Sequence, residues 1–161
     1  MQQQKYDEVM IQEPQALYVV APAMKVLKSG KQKIHSEETY RQLLQQLELD
    51  DFNLEAFMDL LGIDRYIMAE SLGITDTTMW RIIKGKAKLD KNAFYRLQQL
   101  LDLVYFGIET FDHITGDFIQ WMHTRQNSFK DRTPLEVFIN EALGHQIIKD
   151  QLLRIEHGVF A

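Results

Sequence analysis

The chain contains no cysteine, only three prolines and no long hydrophobic run. Without cysteine it can form neither a disulfide nor a cysteine-based metal site, and it has no thiol nucleophile. Its longest apolar runs are a few residues, far short of the roughly 20 that a membrane-spanning helix requires. The first ten residues, MQQQKYDEVM, lack the basic and then apolar layout of a secretory signal. We therefore expect a cytoplasmic protein with no membrane partner.

The sequence also lacks the motifs of catalysis. None of its five histidines has the spacing and flanking glutamate of a zinc-hydrolase helix, and there is no glycine-rich phosphate loop. No set of nucleophile, base and orienting group can be assembled from its polar residues. We expect that the protein is not an enzyme and that it holds no metal ion or cofactor.

What is present is helical patterning. The 161 residues are 45% hydrophobic and 25% charged, as in an ordinary globular protein. Apart from a short alternating stretch at 16–21, apolar residues recur at helical spacing between Gly, Asp, Asn and Thr, which predicts an all-α fold. Residues 1–35 are expected to form a poorly defined arm. A helix is predicted to begin at Ser36, and another to cover 54–61 before Gly62.

Residues 65–84, RYIMAESLGITDTTMWRIIK, predict a helix-turn-helix. Ala69 and Gly73 lie four residues apart, where the motif needs a small side chain for close helix contact and a glycine for the tight turn. Thr75 is the expected N-cap of the second helix, with Asp76 in its first turn. The expected buried positions are Met68, Leu72, Ile74, Met79 and Ile82.

A positively charged surface is expected on the second of these helices. Residues 80–96 carry a net charge of +5, whereas the whole chain carries −5. Such a concentration of Lys and Arg on an acidic protein is typical of a DNA-binding face. The predicted DNA-binding residues are Thr75, Thr77, Thr78, Trp80, Arg81, Lys84, Lys86 and Lys88. The alternative is a helical pair whose charged side is merely solvated, with Trp80 packed on a neighbouring helix.

The second half of the chain predicts three further helices. An apolar stripe runs from Phe94 to Ile108, and Gly107 within it would permit close helix contact. A short helix is expected within 116–124, with Phe118, Trp121 and Met122 as its buried residues. Thr133, Pro134 and Glu136 have the spacing of a capped helix start. Gly144 is expected to break or bend the chain before the last helix.

Several phrases of this half resemble one family. The sequence TPLEVF, a glycine ten residues after Pro134, and the final LLRIEHGVFA are similar to the carboxyl-terminal domain of Xre/MbcA/ParS antitoxins. Upstream, ESLGITDTTMWRI and KLDKNAFYRL resemble the family's Xre-like helix-turn-helix and the linker that follows it. The resemblance covers residues 65–161, and Trp80 departs from it because that position is often basic.

The resemblance implies a fold, a function and two partners. It implies a helical DNA-binding domain at 36–112 and a toxin-binding domain at 113–161, in a bacterial antitoxin of a type II toxin–antitoxin pair. Family members commonly block the active-site cleft of a RES-domain toxin that degrades NAD⁺, and they bind the promoter of their own operon, usually as homodimers. The residues expected to face the toxin are Leu152, Arg154, Ile155, Glu156, His157, Gly158, Val159, Phe160 and Ala161.

Other interpretations of the same residues stay open. Val159 and Phe160 can instead fold back on their own domain or on a sister subunit. The chain can be a stand-alone dimeric transcription regulator without a toxin partner. It can also be an interaction protein whose helix-turn-helix no longer binds DNA.

Overall fold

The computed structural model describes residues 52–158, together with Arg41 and Gln45. The fold over these residues is all-α, as predicted, with one isolated bridge between Gln126 and Arg132 and no strand. The predicted arm at 1–35, the strand-like stretch at 16–21 and the helix start at Ser36 lie outside the described residues. The α-helices of residues 52–158 are α1 (Leu54–Leu61), α2 (Arg65–Leu72), α3 (Asp76–Ile83), α4 (Lys91–Thr110), α5 (Thr115–Met122), α6 (Pro134–Asn140) and α7 (Gly144–Glu156), and a short 3-10 helix covers Asn127–Phe129 between α5 and α6.

Short polar side chains fix where these helices begin. Asn53, Asp64, Thr75 and Asp90 each accept a hydrogen bond from a backbone N–H in the first turn of the helix that follows. At α6 the bonds are reciprocal, because the hydroxyl of Thr133 accepts from the N–H of Glu136 and the carboxylate of Glu136 accepts from the N–H of Thr133. The predicted caps at Thr75 and Thr133 are therefore confirmed.

Two predicted turn glycines end the first helices. Gly62 follows α1 with a φ of 65°, and Gly73 follows α2 with a φ of 70°. Backbone of this left-handed kind favours glycine because a side chain would crowd the carbonyl group. The turn at 73–75 then leads directly into α3, which packs against α2. A helix, a tight turn and a second helix thus occupy the segment predicted to hold them.

The longest helix, α4, runs through the centre of the core. Its 20 residues extend about 30 Å at the usual rise of an α-helix. The predicted stripe is buried from Leu97 to Ile108, whereas Phe94 at its start is half-buried. Met68, Leu72 and Met79 of α2 and α3 are buried as predicted, and Ile74 and Ile82 pack against the same core.

One hydrophobic core extends across the boundary drawn at residues 112 and 113. Phe57 of α1, Phe118 of α5, Phe138 of α6 and Ile148 of α7 all belong to it. Helix α7 packs chiefly on α4 and α6, and α6 also contacts α2. The two segments to which different roles were assigned therefore share their buried surface.

Two glycines allow backbones to approach closely. A β carbon at Gly107 of α4 would collide with the buried ring of Phe118, which confirms the close contact predicted there. A β carbon at Gly144, the first residue of α7, would lie 2.5 Å from the carbonyl oxygen of Val137. The predicted break in the helical chain lies between Asn140, where α6 ends, and Gly144, which is itself the first residue of α7.

Candidate nucleic-acid interface and carboxyl-terminal helix

Helix α3 presents most of its predicted DNA-binding side chains to solvent. Thr75, Thr77, Arg81 and Lys84 are exposed. Thr78 is half-buried, and its hydroxyl lies 2.9 Å from that of Thr75. The hydroxyl of Thr75 also accepts the N–H of Thr78 as part of the helix cap. Thr75 and Thr78 therefore already serve the turn, whereas Thr77 and Arg81 point freely outward.

Trp80 lies on the outer side of α3 and not in the core. Its side chain is 39% exposed, and the ammonium group of Lys86 lies 5.0 Å from the centroid of the indole ring. This is the geometry of a cation–π contact, in which the ring face attracts the positive charge. The contact holds Lys86 beside α3, the helix that also carries Arg81.

The basic segment that follows α3 is largely surface. Lys84, Lys86 and Lys88 are exposed, and the chain turns at Gly85, whose φ is 67°. The segment ends at Lys91, the exposed first residue of α4. Of the six cations counted over 80–96, Arg81 and the four lysines are thus exposed.

Arg96 belongs to the same run of charges but has a different environment. Its Nε donates to the carbonyl of Ser71 at 3.0 Å, and its Nη2 donates to that of Phe138 at 2.7 Å. The guanidinium also lies 4.2 Å from the ring centroid of Phe138. Burial lowers the pKa of Arg96. Arg96 therefore joins α2, α4 and α6, and the +5 counted over 80–96 overstates the charge on the surface.

An ion pair between α2 and α3 was missed by the sequence analysis. Arg65 binds both carboxylate oxygens of Asp76, with Nε 2.6 Å from Oδ1 and Nη2 2.8 Å from Oδ2. These hydrogen bonds lower the pKa of Asp76 and raise that of Arg65. The partners lie 11 residues apart, beyond the reach of any local pairing rule, so only their tertiary arrangement reveals the contact.

Near the carboxyl end of the chain, the predicted toxin-binding residues of α7 differ in how far they are buried. Arg154, Glu156 and His157 are exposed, and so is Gly158, which follows α7 with a φ of 67°. Val159, Phe160 and Ala161 lie outside the described residues.

Leu152 corrects the predicted set. Its side chain is 0% exposed and belongs to the core that α7 shares with α4 and α6. Ile155 is half-buried on the same side of the helix. Leucine at position 152 therefore attaches α7 to its own chain and is not available for contact with a partner.

The solvent side of α7 carries apolar side chains that the sequence analysis did not single out. Leu143, just before the helix, is 70% exposed, and Ile147 and Leu153 are 39% and 36% exposed. Helical spacing places all three on the side opposite the buried Ile148 and Leu152, together with Arg154. The spacing of apolar residues over 143–154, followed at the period of an α-helix, is the sequence signal that separates these two faces.

A charged cluster attaches α7 to α4. Oδ2 of Asp102 lies 2.7 Å from Nε2 of His145 and 2.9 Å from Nζ of Lys149. Burial opposes ionisation of Asp102, but the hydrogen bonds from Lys149 and His145 outweigh it and lower the pKa of its carboxyl group. Nζ of Lys149 also lies 5.5 Å from the ring centroid of Phe106.

These contacts give the direction of α7. Arg96 meets Phe138 before α7 begins, His145 meets Asp102, and Lys149 reaches on to Phe106. Lys149 shares Asp102 with His145, but it also reaches Phe106, one turn further along α4, so α7 runs in the same direction as α4. The exposed end of α7 therefore points away from Lys91, where the basic segment joins α4.

Other kinds of site are absent from the described part of the chain. No helix of residues 52–158 is long and apolar enough to cross a membrane. The same residues hold no group of three or more His, Asp or Glu side chains able to bind a metal ion. No protein-family model matches the chain, and comparisons with curated proteins and with solved structures gave no match.

Proposed function

We propose that this chain is an antitoxin with two binding surfaces. One surface, formed by α3 and the basic segment 84–91, binds the promoter of its own operon in the manner of an Xre-like helix-turn-helix. The other, at the carboxyl end of α7, holds a toxin enzyme of the RES class and blocks its active-site cleft. A homodimer in the bacterial cytoplasm is the proposed working form.

The DNA-binding part is supported by the arrangement of charge. Arg81, Lys84 and Lys86 are exposed beside one another, on and just after a helix that begins at a tight turn. Exposed cations in this arrangement neutralise phosphates, and Thr77 on the same helix is suited to hydrogen bonding with base edges or phosphates. Trp80 adds an apolar surface for contact with sugars.

The toxin-binding part of the proposal is supported by the separation between the carboxyl end of α7 and the basic segment 84–91. Because α7 runs in the same direction as α4, its exposed residues Arg154, Glu156 and His157 lie away from the basic segment. The apolar side chains of Ile147 and Leu153 extend this surface along the helix. Apolar anchors beside charged groups are the composition expected of a protein-binding surface.

The single observation that carries the proposal is the pair of exposed surfaces on one core. It predicts that each binding activity can be removed alone. Substitution of Arg81 and Lys84 by Ala should weaken promoter binding and reduce the slope of log K against log [salt] by about 0.9 for each phosphate that is no longer neutralised. Removal of residues 157–161 should abolish protection of cells that express the toxin, because these residues are proposed to enter its active-site cleft, while α7 itself stays complete.

The two variants serve as controls for each other. The double Ala variant should still bind the toxin in pull-down after co-expression with the neighbouring gene, and the truncated chain should still shift promoter DNA. A truncated chain that protects cells as well as the full chain would refute the role of residues 157–161 in blocking the toxin. Unchanged DNA binding by the Ala variant would show that α3 is not the interface.

A stand-alone dimeric regulator is the second candidate, and the exposed Leu143 favours it. Together with Ile147 and Leu153, its 70% exposed side chain could equally be covered by a second subunit. Both candidates predict a dimer, so sedimentation of the Leu143→Asp variant separates them: the antitoxin keeps its dimer because this face is left for the toxin. The regulator predicts a dimer broken by Leu143→Asp, and no toxin gene beside its own.

A further inference from the structure

The contact between Arg65 and Asp76 joins the first residues of α2 and α3. Both carboxylate oxygens of Asp76 accept from the guanidinium, at 2.6 and 2.8 Å. Both side chains are open to solvent, with 43% of Arg65 and 39% of Asp76 exposed. The bidentate geometry fixes the orientation of both side chains at the surface.

Stability gives little reason for this pair. Exposed ion pairs contribute little to folding because solvent screens them and because the side chains lose freedom. Asp76 is already favourable at the start of α3, where the peptide dipoles attract negative charge. The turn itself is held by the cap at Thr75 and by the N–H of Gly73, which donates to Glu70. The pair therefore calls for an explanation other than the folding of the turn.

The position of Asp76 supplies one. It precedes Thr77 and lies about one turn before Trp80, in the same helix as Arg81, so its carboxylate stands at the start of the helix that carries the proposed cationic surface. An unpaired carboxylate there would repel the phosphates that Arg81 and Lys84 are proposed to attract. The guanidinium of Arg65, bound to both oxygens, neutralises this negative charge and fixes the orientation of the carboxylate.

We propose that Arg65 is a positioning residue for nucleic-acid binding, which masks the charge of Asp76 and fixes the start of α3 against α2. It acts through Asp76 and does not itself contact phosphate. This inference rests on the DNA-binding part of the proposed function.

A double-mutant cycle tests the proposal. Arg65→Ala should weaken binding to promoter duplex and to an unrelated duplex of equal length by about three- to tenfold at low salt, the size of one surface charge interaction. Asp76→Asn in the Arg65→Ala background should bring the affinity back to within about twofold of the original chain, since no carboxylate is left to mask. Its salt slope should match that of the original chain.

The rescue distinguishes masking from direct contact. If Arg65 itself bound a phosphate, the salt slope of the double variant would stay smaller by about 0.9 than that of the original chain, even where removal of the Asp76 carboxylate raises its affinity. That result overturns the proposal, as does normal binding by Arg65→Ala. Arg125→Ala is the matched control, because Arg125 is another exposed arginine beside an aspartate, Asp131, in the loop between α5 and α6. It should leave affinity unchanged.

The cycle also separates this inference from the proposed function. If the original chain shows no salt-dependent binding to either duplex, the DNA-binding proposal and the inference both fail. If it binds and Arg65→Ala binds equally well, only the inference fails. Circular dichroism melts of all four chains should agree within a few degrees, and a large drop for Arg65→Ala that Asp76→Asn does not reverse would assign Arg65 to folding instead.

Discussion

A β carbon at Gly144 would lie 2.5 Å from the carbonyl oxygen of Val137 and 2.8 Å from Cα of Phe138. Both neighbours are backbone atoms of α6, which cannot rotate away as the end of a side chain can. Val137 and Phe138 are themselves fully buried, so α6 has no room to move back. The junction between α6 and α7 therefore depends on the absence of a single methyl group.

Substitution of Gly144 by Ala should lower the free energy of unfolding by about 2–3 kcal/mol, because the added carbon overpacks the junction. Urea denaturation measures the loss. Gly116→Ala is the control, since Gly116 also lies in a helix but its β carbon would meet nothing within 4 Å. That variant should be unchanged or more stable by up to about 1 kcal/mol. Equal stability of both variants would contradict the close approach.

At the scale of the helices, the sequence predicted the features that depend on neighbouring residues. It did not predict contacts between residues that are distant along the chain. Gly62, Thr75 and Thr133 were found from sequence because a cap or a turn involves residues only a few positions apart. The anchoring role of Arg96 was missed, since its carbonyl partners Ser71 and Phe138 lie 25 and 42 residues away. Sequence showed which helices exist, whereas packing decides which charges remain at the surface.

The cluster of Asp102, His145 and Lys149 shows how one such contact acts on a whole helix. The carboxylate of Asp102 receives two hydrogen bonds from α7, which packs on α4. Its pKa is lowered in the folded chain, so its ionised form favours folding. This contribution is complete above the ordinary pKa of aspartate and is lost as the pH falls through the lowered value.

Replacement of Asp102 by Asn should reduce the free energy of unfolding by about 1–2 kcal/mol at pH 7, because two charge-assisted hydrogen bonds lose their ionised acceptor. The difference from the original chain should shrink below about pH 4, where the unfolded aspartate is protonated. Urea unfolding between pH 7 and pH 3 measures both effects. Asp150→Asn, an exposed control on α7, should change stability by less than about 0.5 kcal/mol. A pH-independent loss at Asp102 would contradict this role of its ionised carboxylate.

At the scale of the whole molecule, the core joins segments that were assigned different tasks. Leu152 had been placed among the partner-binding residues because it belongs to the terminal phrase of the chain. Its complete burial shows that α7 is attached through one face and displays the other. Leu152 and Leu153 taken as a pair do not show which leucine faces inward, and the apolar period must be followed over the whole of 143–154 before the two faces separate.

This neighbouring pair provides the sharpest test of the fold. Leu152→Ala should lower the free energy of unfolding by about 2–5 kcal/mol through loss of buried surface and creation of a cavity. Leu153→Ala should cost less than about 0.5 kcal/mol in the isolated chain. Thermal or urea denaturation of the two variants measures the contrast. The reverse order of stability would mean that α7 is rotated relative to the arrangement described.

The shared core also constrains how such a protein can diversify. Phe118, Phe138 and Ile148, from beyond residue 112, interlock with residues that precede it. Recombination between related genes at that point would join halves whose buried surfaces had not been selected together. New specificities in this lineage are therefore expected to arise by point substitution on outward-facing positions, not by exchange of modules.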